Sequence, residues 1–380
     1  MGEGATLLGA IRNTARQGIE TYASTAKNDF IASSRYYRSA ETQSGQQLGD
    51  EWDASVYETL AQLPFERAVL LSCSDRAADW VANLPEQMRQ RFPSSSPTKS
   101  ALDVIQNKRE FALLCRRLDI PHPKCYLPGG DADMLDGLTE ASRNWFLKPF
   151  NSRRFMELYG KKAVRVQNRA EAEDYLRRFA KDNMDVILQE YIGGKADQHY
   201  FIDGFRDRDG IIRGLLARRR QRIYPVDFGD SSYCNQVPLA EVQAAWESLE
   251  QILIATDYRG IFSGEFKFDR ASSTFKILEI NARAWVYVEF AAWCGIDVCK
   301  LAYLDALGME MPTMKPIRKN AGCVYGFNDV QSVRKSDPEL RPKLTTLIGQ
   351  WFGARKTLFC WDDPMPFVVW TWRRLWGLRQ

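Results

Sequence analysis

The chain has 380 residues, 45% of them apolar and 26% charged, with 52 Lys and Arg set against 48 Asp and Glu. That profile fits a globular protein with two or three domains, and it excludes a small disulfide-stapled fold and a general nucleic-acid binder. The eight cysteines form no CxxC pair and only two histidines accompany them, which disfavours a zinc site. The thiols are expected as small buried hydrophobes, and with no leader-like or membrane-spanning apolar run the expected location is the cytoplasm.

The pattern Gly2-Glu3-Gly4-Ala5 opens a helix whose apolar positions are Leu7, Leu8, Ile11 and, later, Ile19. Residues 68–71 read as a strand that stops at Ser72-Cys73-Ser74-Asp75 and leads into a helix over 77–84. These are the parts of a doubly wound unit. A glycine turn into a first helix normally follows a strand, and none precedes it here; either that strand is absent from the chain or the pattern is misread. Residues 92–97 (Phe-Pro-Ser-Ser-Ser-Pro) are a linker by composition. One helix is expected over 101–118, ending before Ile120-Pro121-His122-Pro123. A short strand follows over 145–149, then a helix over 171–180 and a buried strand over 185–191 that stops at Gly193-Gly194. Residues 199–205 and 211–223 flank the turn Asp207-Arg208-Asp209-Gly210 as a hairpin. A helix over 239–256 precedes a second hairpin with arms 264–268 and 275–280.

The second hairpin carries the chemistry. Period-two alternation puts Glu265, Lys267 and Asp269 on one face of the first arm, and Glu279 and Asn281 on one face of the second. With the turn centred near Ser272, Glu265 lies opposite Glu279, about 4.5–5.5 Å apart at Cβ. Two bare carboxylates at that separation repel, and a hard divalent cation relieves the repulsion. The plain alternative is a solvated charged hairpin with Lys267 as counter-ion.

Three further places have more than one reading. Arg218-Arg219-Arg220-Gln221-Arg222 places Arg218, Arg220 and Arg222 on one strand face, as a cationic wall for phosphates or an acidic substrate, as a protected strand edge, or, third because no aromatics interleave the run, as a nucleic-acid surface. Asp75 ends a strand where ligands bind in open sheets, or caps a helix. The tail over 367–379, rich in Trp and Arg, is an interfacial membrane anchor or a packed C-terminal helix. His199 is expected as a hydrogen-bonded hairpin histidine near a nucleotide, and His122 as structural.

Glu279-Ile280-Asn281-Ala282-Arg283, with Glu265 one hairpin arm earlier, resembles the metal site of the ATP-grasp superfamily. Other motifs fall in that family's order. Asn107-Lys108 resembles its first nucleotide-binding lysine, and Phe146-Leu147-Lys148-Pro149 its second. Leu188-Gln189-Glu190-Tyr191-Ile192-Gly193-Gly194 resembles the adenine hinge, with Asp197 near the ribose. The likeness covers roughly residues 66–300 and is nearest to the predicted carboxylate–amine ligases, the D-aspartate ligase-like branch. Ser34-Arg35-Tyr36-Tyr37-Arg38 and Asp362-Asp363-Pro364-Met365-Pro366 resemble parts of that branch's N- and C-terminal regions.

The resemblance implies an α/β (α+β) fold. A doubly wound pre-ATP-grasp domain would occupy 1–97, a two-lobed ATP-grasp domain 98–310, and a C-terminal extension 311–380. It also implies ATP- and Mg²⁺-dependent amide formation through an acylphosphate, with Mn²⁺ as an alternative ion and a small carboxylate and an amine as substrates. Glu265, Glu279 and Asn281 would hold the metal. Lys108, Lys148, Glu190, Tyr191, Ile192 and Asp197 would bind nucleotide, and Arg283 and Arg220 would serve catalysis. The rival readings are a bicarbonate-activating carboxylating enzyme and a nucleotide-binding module without catalysis. One departure is visible: the family's glycine-rich phosphate loop is replaced over 150–162 by a segment with one glycine, Gly160, and the basic residues Arg153, Arg154, Lys161 and Lys162, expected as a mobile basic loop.

Overall fold

The computed structural model describes residues 1–2, 4–24, 29–48, 55–126, 145–150, 152–161, 163–225, 229–313 and 317–376. The first region holds α1 (Gly4–Arg16), α2 (Ser55–Ala61), α3 (Asp75–Ala82) and α4 (Glu86–Arg89). Leu7, Leu8 and Ile11 are buried in α1 as their spacing requires, while Ile19 lies beyond its end. The side chain of Ser74 accepts from the Ala77 amide, so α3 starts and stops two residues before the expected 77–84.

The strand expected over 68–71 is extended chain joined at single points rather than a continuous ladder. The amides of Ala68 and Leu70 donate to the carbonyls of Arg91 and Pro93. On the other side, the Met1 amino group donates to Leu71 O, and the Cys73 amide donates to Met1 O. The pairings are parallel in sense, and Met1 and residues 68–73 each run into a helix, which is the logic of a doubly wound unit. Gly2 is required beside that junction: its φ is +146°, and a Cβ there would lie 2.9 Å from Cys73 Cβ.

A buried ionic junction ties this region to the C-terminal segment. Arg12, with no exposed side-chain surface, donates from Nε to Asp363 Oδ2 at 2.9 Å and lies 3.3 Å from Glu289 Oε2. Ser34 Oγ and the Arg35 amide also donate to Asp363, and Tyr36 OH donates to Asp362. The Ser34–Arg38 and Asp362–Pro366 motifs therefore interlock.

The expected helix over 101–118 is two helices, α5 (Lys99–Gln106) and α6 (Lys108–Arg117). Asn107 breaks it: its backbone leaves the helical region (φ −84°, ψ 112°), and its side chain accepts from the amides of Arg109 and Glu110. The break sets Lys108 at the first position of α6. A small antiparallel sheet follows, with β1 (Cys125–Tyr126), β2 (Trp145–Pro149), β3 (Val164–Val166) and β4 (Val186–Glu190) in the order β1-β4-β2-β3. α7 (Ser152–Tyr159) and α8 (Arg169–Lys181) cover it through Phe155 and Phe179. α7 corrects the loop expected over 150–162. Its Arg154 donates to Asp182 O, and Lys162 lies outside the described residues.

The large sheet has β5 (His199–Arg206), β6 (Ile212–Tyr224), β7 (Asp230–Val237), β8 (Gly260–Asp269), β9 (Thr274–Asn281), β10 (Gly322–Val324) and β11 (Arg355–Lys356), in the order β11-β10-β7-β6-β5-β8-β9. Between β7 and β8, α9 (Gln243–Ala255) starts after a 3₁₀ turn over Leu239–Val242, later than the expected 239. After β9 come α10 (Val288–Cys294), α11 (Val298–Leu307), α12 (Gly326–Lys335), α13 (Leu344–Gly353) and α14 (Met365–Leu375). Strand alternation sends Tyr200, Ile202, Phe262, Phe266 and Ile277 into one core with α5, α6 and α9. On the other face, Phe205, Leu216 and Ile261 pack with α1, α10 and α11. The same face also carries the polar side chains Asp203, Arg218, Arg220, Ser263 and Glu265 beside Phe201. All eight cysteines are buried and unpaired, as small hydrophobes would be.

Candidate active site

The register of β8 and β9 places Glu265 directly opposite Glu279 and Ser263 opposite Asn281. It does so through a bulge. From the turn outward Asp269 pairs with Thr274 and Phe266 with Ile277, a register that would next bring Leu278 against Glu265. One extra residue on β9 passes Leu278 by, and the two carboxylates meet.

Glu265 is three-quarters or more shielded, and its Oε1 lies 3.2 Å from His199 Nδ1 and 3.6 Å from an Arg220 nitrogen. Arg220 Nη1 is in turn 2.6 Å from His199 Nδ1, and its Nε donates to Ser231 Oγ at 2.9 Å. Burial alone would raise the Glu265 carboxyl. The hydrogen bond with His199 and the charges of Arg220, His199 and Arg218 overcome it and bring the group down to about 2. Burial holds the His199 imidazole below its usual value. Lys267 is buried, and burial followed by repulsion from Arg220 lowers it to about 8.

Glu279 differs. It is reached by solvent and has no hydrogen-bond partner among the described residues. The crowding of protein around it, and next the negative charge of Glu265, hold it above the usual carboxylate value; Lys148 and Lys108 act the other way. Lys108 is itself lowered, by burial and then by Lys148, while Glu279 and Asp75 pull it back. Lys108 and Lys148 are half-buried and form no ion pair or hydrogen bond with another described residue. Two helices, a strand of the small sheet and a strand of the large one thus bring Lys108, Lys148, Asp75 and Glu279 within each other's fields.

Asn281 Oδ1 accepts from Arg283 Nη2 at 3.1 Å, and Arg283 grips Asp75 through Nε at 2.7 Å and Nη2 at 3.2 Å. Asp75 is therefore not the cap of α3, a role Ser74 fills; it is the anchor of Arg283. The hinge candidates lie at the end of β4. Glu190 pairs with Lys276 at 3.1 Å and accepts from the Lys124 amide. The Tyr191 ring meets Phe146 edge-on at 4.9 Å and has Arg165 and Lys267 about its faces at 5.2 and 5.1 Å. Ile192 is buried beside it. Asp197 pairs with Arg219 at 3.4 Å and leaves its buried Oδ1 without a partner.

The arginine row does not hold as one wall. Bulges on either side of Arg222 break the alternation, and Arg222 forks onto Asp329 of α12 at 2.8 Å from both nitrogens. Arg218 is spent on Asp203 and stacks 3.8 Å from the centre of Phe201. Arg220 alone of the three reaches the carboxylate pair. His199 takes a larger part than the hairpin role expected for it, because diagonal pairing across β5 and β8 sets it against Glu265; His122, bonded to Ile120 O at 2.8 Å, is structural.

The donor set suits a hard divalent ion: two carboxylates on paired strands, one of them unpartnered, with the amide of Asn281 beside them. Among the described residues no three Asp, Glu, His or Cys side chains are grouped so as to hold a metal ion by themselves.

No family model matches the chain. It is 22% identical over 273 residues to a D-aspartate ligase of Enterococcus faecium, a match that spans 68% of this chain and 64% of that ligase's length, less than two-thirds of it. The fold is similar to carboxyaminoimidazole ribonucleotide synthase of Aspergillus clavatus in complex with ATP (TM-score 0.60, 16% identity, 83% of this chain and 78% of that one). It is also similar to an L-amino acid ligase of Bacillus licheniformis (TM-score 0.54, 16% identity, 80% and 72%). Both likenesses are to proteins of the ATP-grasp superfamily, the family that the motifs read from residues 107 to 283 resemble.

Proposed function

We propose that the protein is an ATP- and Mg²⁺-dependent carboxylate–amine ligase. The observation that carries this reading is the register pairing Glu265 with Glu279, near Lys108 and Lys148, neither of which pairs with another described residue. A carboxylate oxygen of the acid substrate would attack the γ-phosphorus of ATP, releasing ADP and leaving an acylphosphate. The amine would then attack the acyl carbon, expelling phosphate and a proton and leaving the amide. Such chemistry needs positioning and charge neutralisation more than a covalent nucleophile on the enzyme.

Glu265, Glu279 and Asn281 would hold Mg²⁺, which when bound offsets negative charge on the phosphate oxygens. Lys108 and Lys148, which pair with no other described residue, would meet the phosphates as point charges. Arg220 steadies Glu265 as an ionised ligand. Arg283, oriented by Asp75, stands beside Asn281 where charge on the acylphosphate develops. Tyr191, Ile192 and the Phe146 ring form an apolar and aromatic end for adenine, with Asp197 near the sugar. Residues 1–97 would contribute to the acid-substrate side, 98–310 the nucleotide cleft, and 311–380 the extension that closes against both.

The test is ADP release measured over a panel of amino acids and small carboxylates, each paired with candidate amines, with bicarbonate alone as a separate arm. Turnover that requires both an acid and an amine supports the ligase. Bicarbonate-dependent turnover without added acid moves the assignment to a carboxylating enzyme, and tight ATP binding with no turnover under any pairing makes it a binding module.

A further inference from the structure

α14 has two apolar faces. One packs: Pro366 and Trp370 are buried, and Trp370 meets Tyr325 and Phe327. The other is bare. Met365, Val368, Trp372, Leu375 and Trp376 fall within about 100° of one another around the helix and are all exposed. Trp361, in the turn before it, is 90% exposed. α13 repeats the pattern with Leu344, Ile348 and Phe352 at every fourth residue, Phe352 being 85% exposed. The two helices flank α12, since Trp351 donates to Asp329 on one side and Phe327 packs on Trp370 on the other.

Charge follows the same segment. Residues 341–380 hold seven Lys and Arg against two Asp, while residues 1–340 hold 45 against 46. The two acids, Asp362 and Asp363, are already engaged by Arg16 and Arg12. Counted along the sequence, the chain's positive balance falls in the segment that carries the bare apolar stripes, although Arg355 is paired with Glu289 and Arg374 lies over Phe327 and Trp370.

We propose that the bare face of α14 docks on the surface of an anionic lipid bilayer. Trp and Phe side chains exposed to this degree lack flanking protein and gain little from a flat partner, whereas a fluid headgroup layer surrounds them. The basic side chains add attraction to anionic lipid. A second copy of the chain would bring the same excess positive charge against itself. Among the described residues no helix is long and apolar enough to cross a membrane, so the contact is peripheral.

The experiment is flotation of the full chain with vesicles of phosphatidylcholine, alone or with about one-third phosphatidylglycerol. Binding should appear on the anionic vesicles, fall in high salt, and drop about tenfold or more in Trp361→Ser/Trp372→Ser, with melting temperature and ADP release unchanged. Equal or absent partitioning on both vesicle types overturns the proposal. So does a dimer in sedimentation velocity that the same two substitutions dissolve while vesicle binding is nil. Flotation, melting and sedimentation do not depend on the ligase reading, and ADP release serves only as a control where that reading holds.

Discussion

The molecule contains two dense clusters of charge that differ in one respect. At the Arg12 junction the charges close on each other: Arg12 meets Glu289 and Asp363, Arg16 meets Glu289 and Asp362, and Arg355 also reaches Glu289. In the cleft they do not. Glu279, Lys108 and Lys148 feel one another's fields without forming a hydrogen bond. A closed cluster fixes the approach of distant segments, and removing one member leaves a buried charge uncompensated. An open cluster holds charge in reserve for something that arrives. The first should break as stability, the second as chemistry.

Glu279→Ala tests that division most sharply. ADP release should fall by about 10³-fold, with the melting temperature within a degree or two of the parent, since no described residue is hydrogen-bonded to Glu279. Retained turnover would remove the metal assignment. Arg12→Ala is the mirror experiment: about 3–5 kcal/mol of unfolding free energy should be lost, read by denaturant titration. A variant of unchanged stability would mean the junction is ornamental. Lys148→Ala comes next, with ATP affinity weakened about tenfold by calorimetry and stability preserved or improved, because a half-buried unpaired charge has gone. An unaltered dissociation constant would place the triphosphate elsewhere.

The two clusters were unequally visible in the sequence. Period-two alternation in two adjacent arms is a local signal, so Glu265, Glu279 and their shared face could be read directly. The bulge that completes their pairing could not, for Leu278 carries no glycine or other mark of an extra residue. A strict ladder from the Asp269–Thr274 turn would have set Leu278 against Glu265. Asn107 was available as a cap signal but lay inside an apolar spacing long enough to pass for one helix. The junction was opaque for another reason: Arg12 and Asp363 are 351 positions apart, and nothing in either segment names the other. His199 belongs to the same class. Its place beside Glu265 follows from which strands neighbour, a property of topology rather than of local pattern.

The smallest expected effect distinguishes ionised closure from mere packing. Burial alone would raise the Glu289 carboxyl, but the charges of Arg12 and Arg355 and the bonds from Arg16 and Cys360 hold it below its ordinary 4.5. A carboxyl with a folded value below its unfolded one adds stability that is complete above the unfolded value and disappears as pH falls through the folded one. Glu289→Gln keeps the shape and removes the charge. The gap in melting temperature between parent and variant should therefore be widest near about pH 6 and narrow as the pH is brought toward about 3. A gap that stays constant over that range would mean Glu289 is neutral in the folded chain, and the junction would then be held by packing and hydrogen bonds, with its three arginines balanced by Asp362 and Asp363 alone.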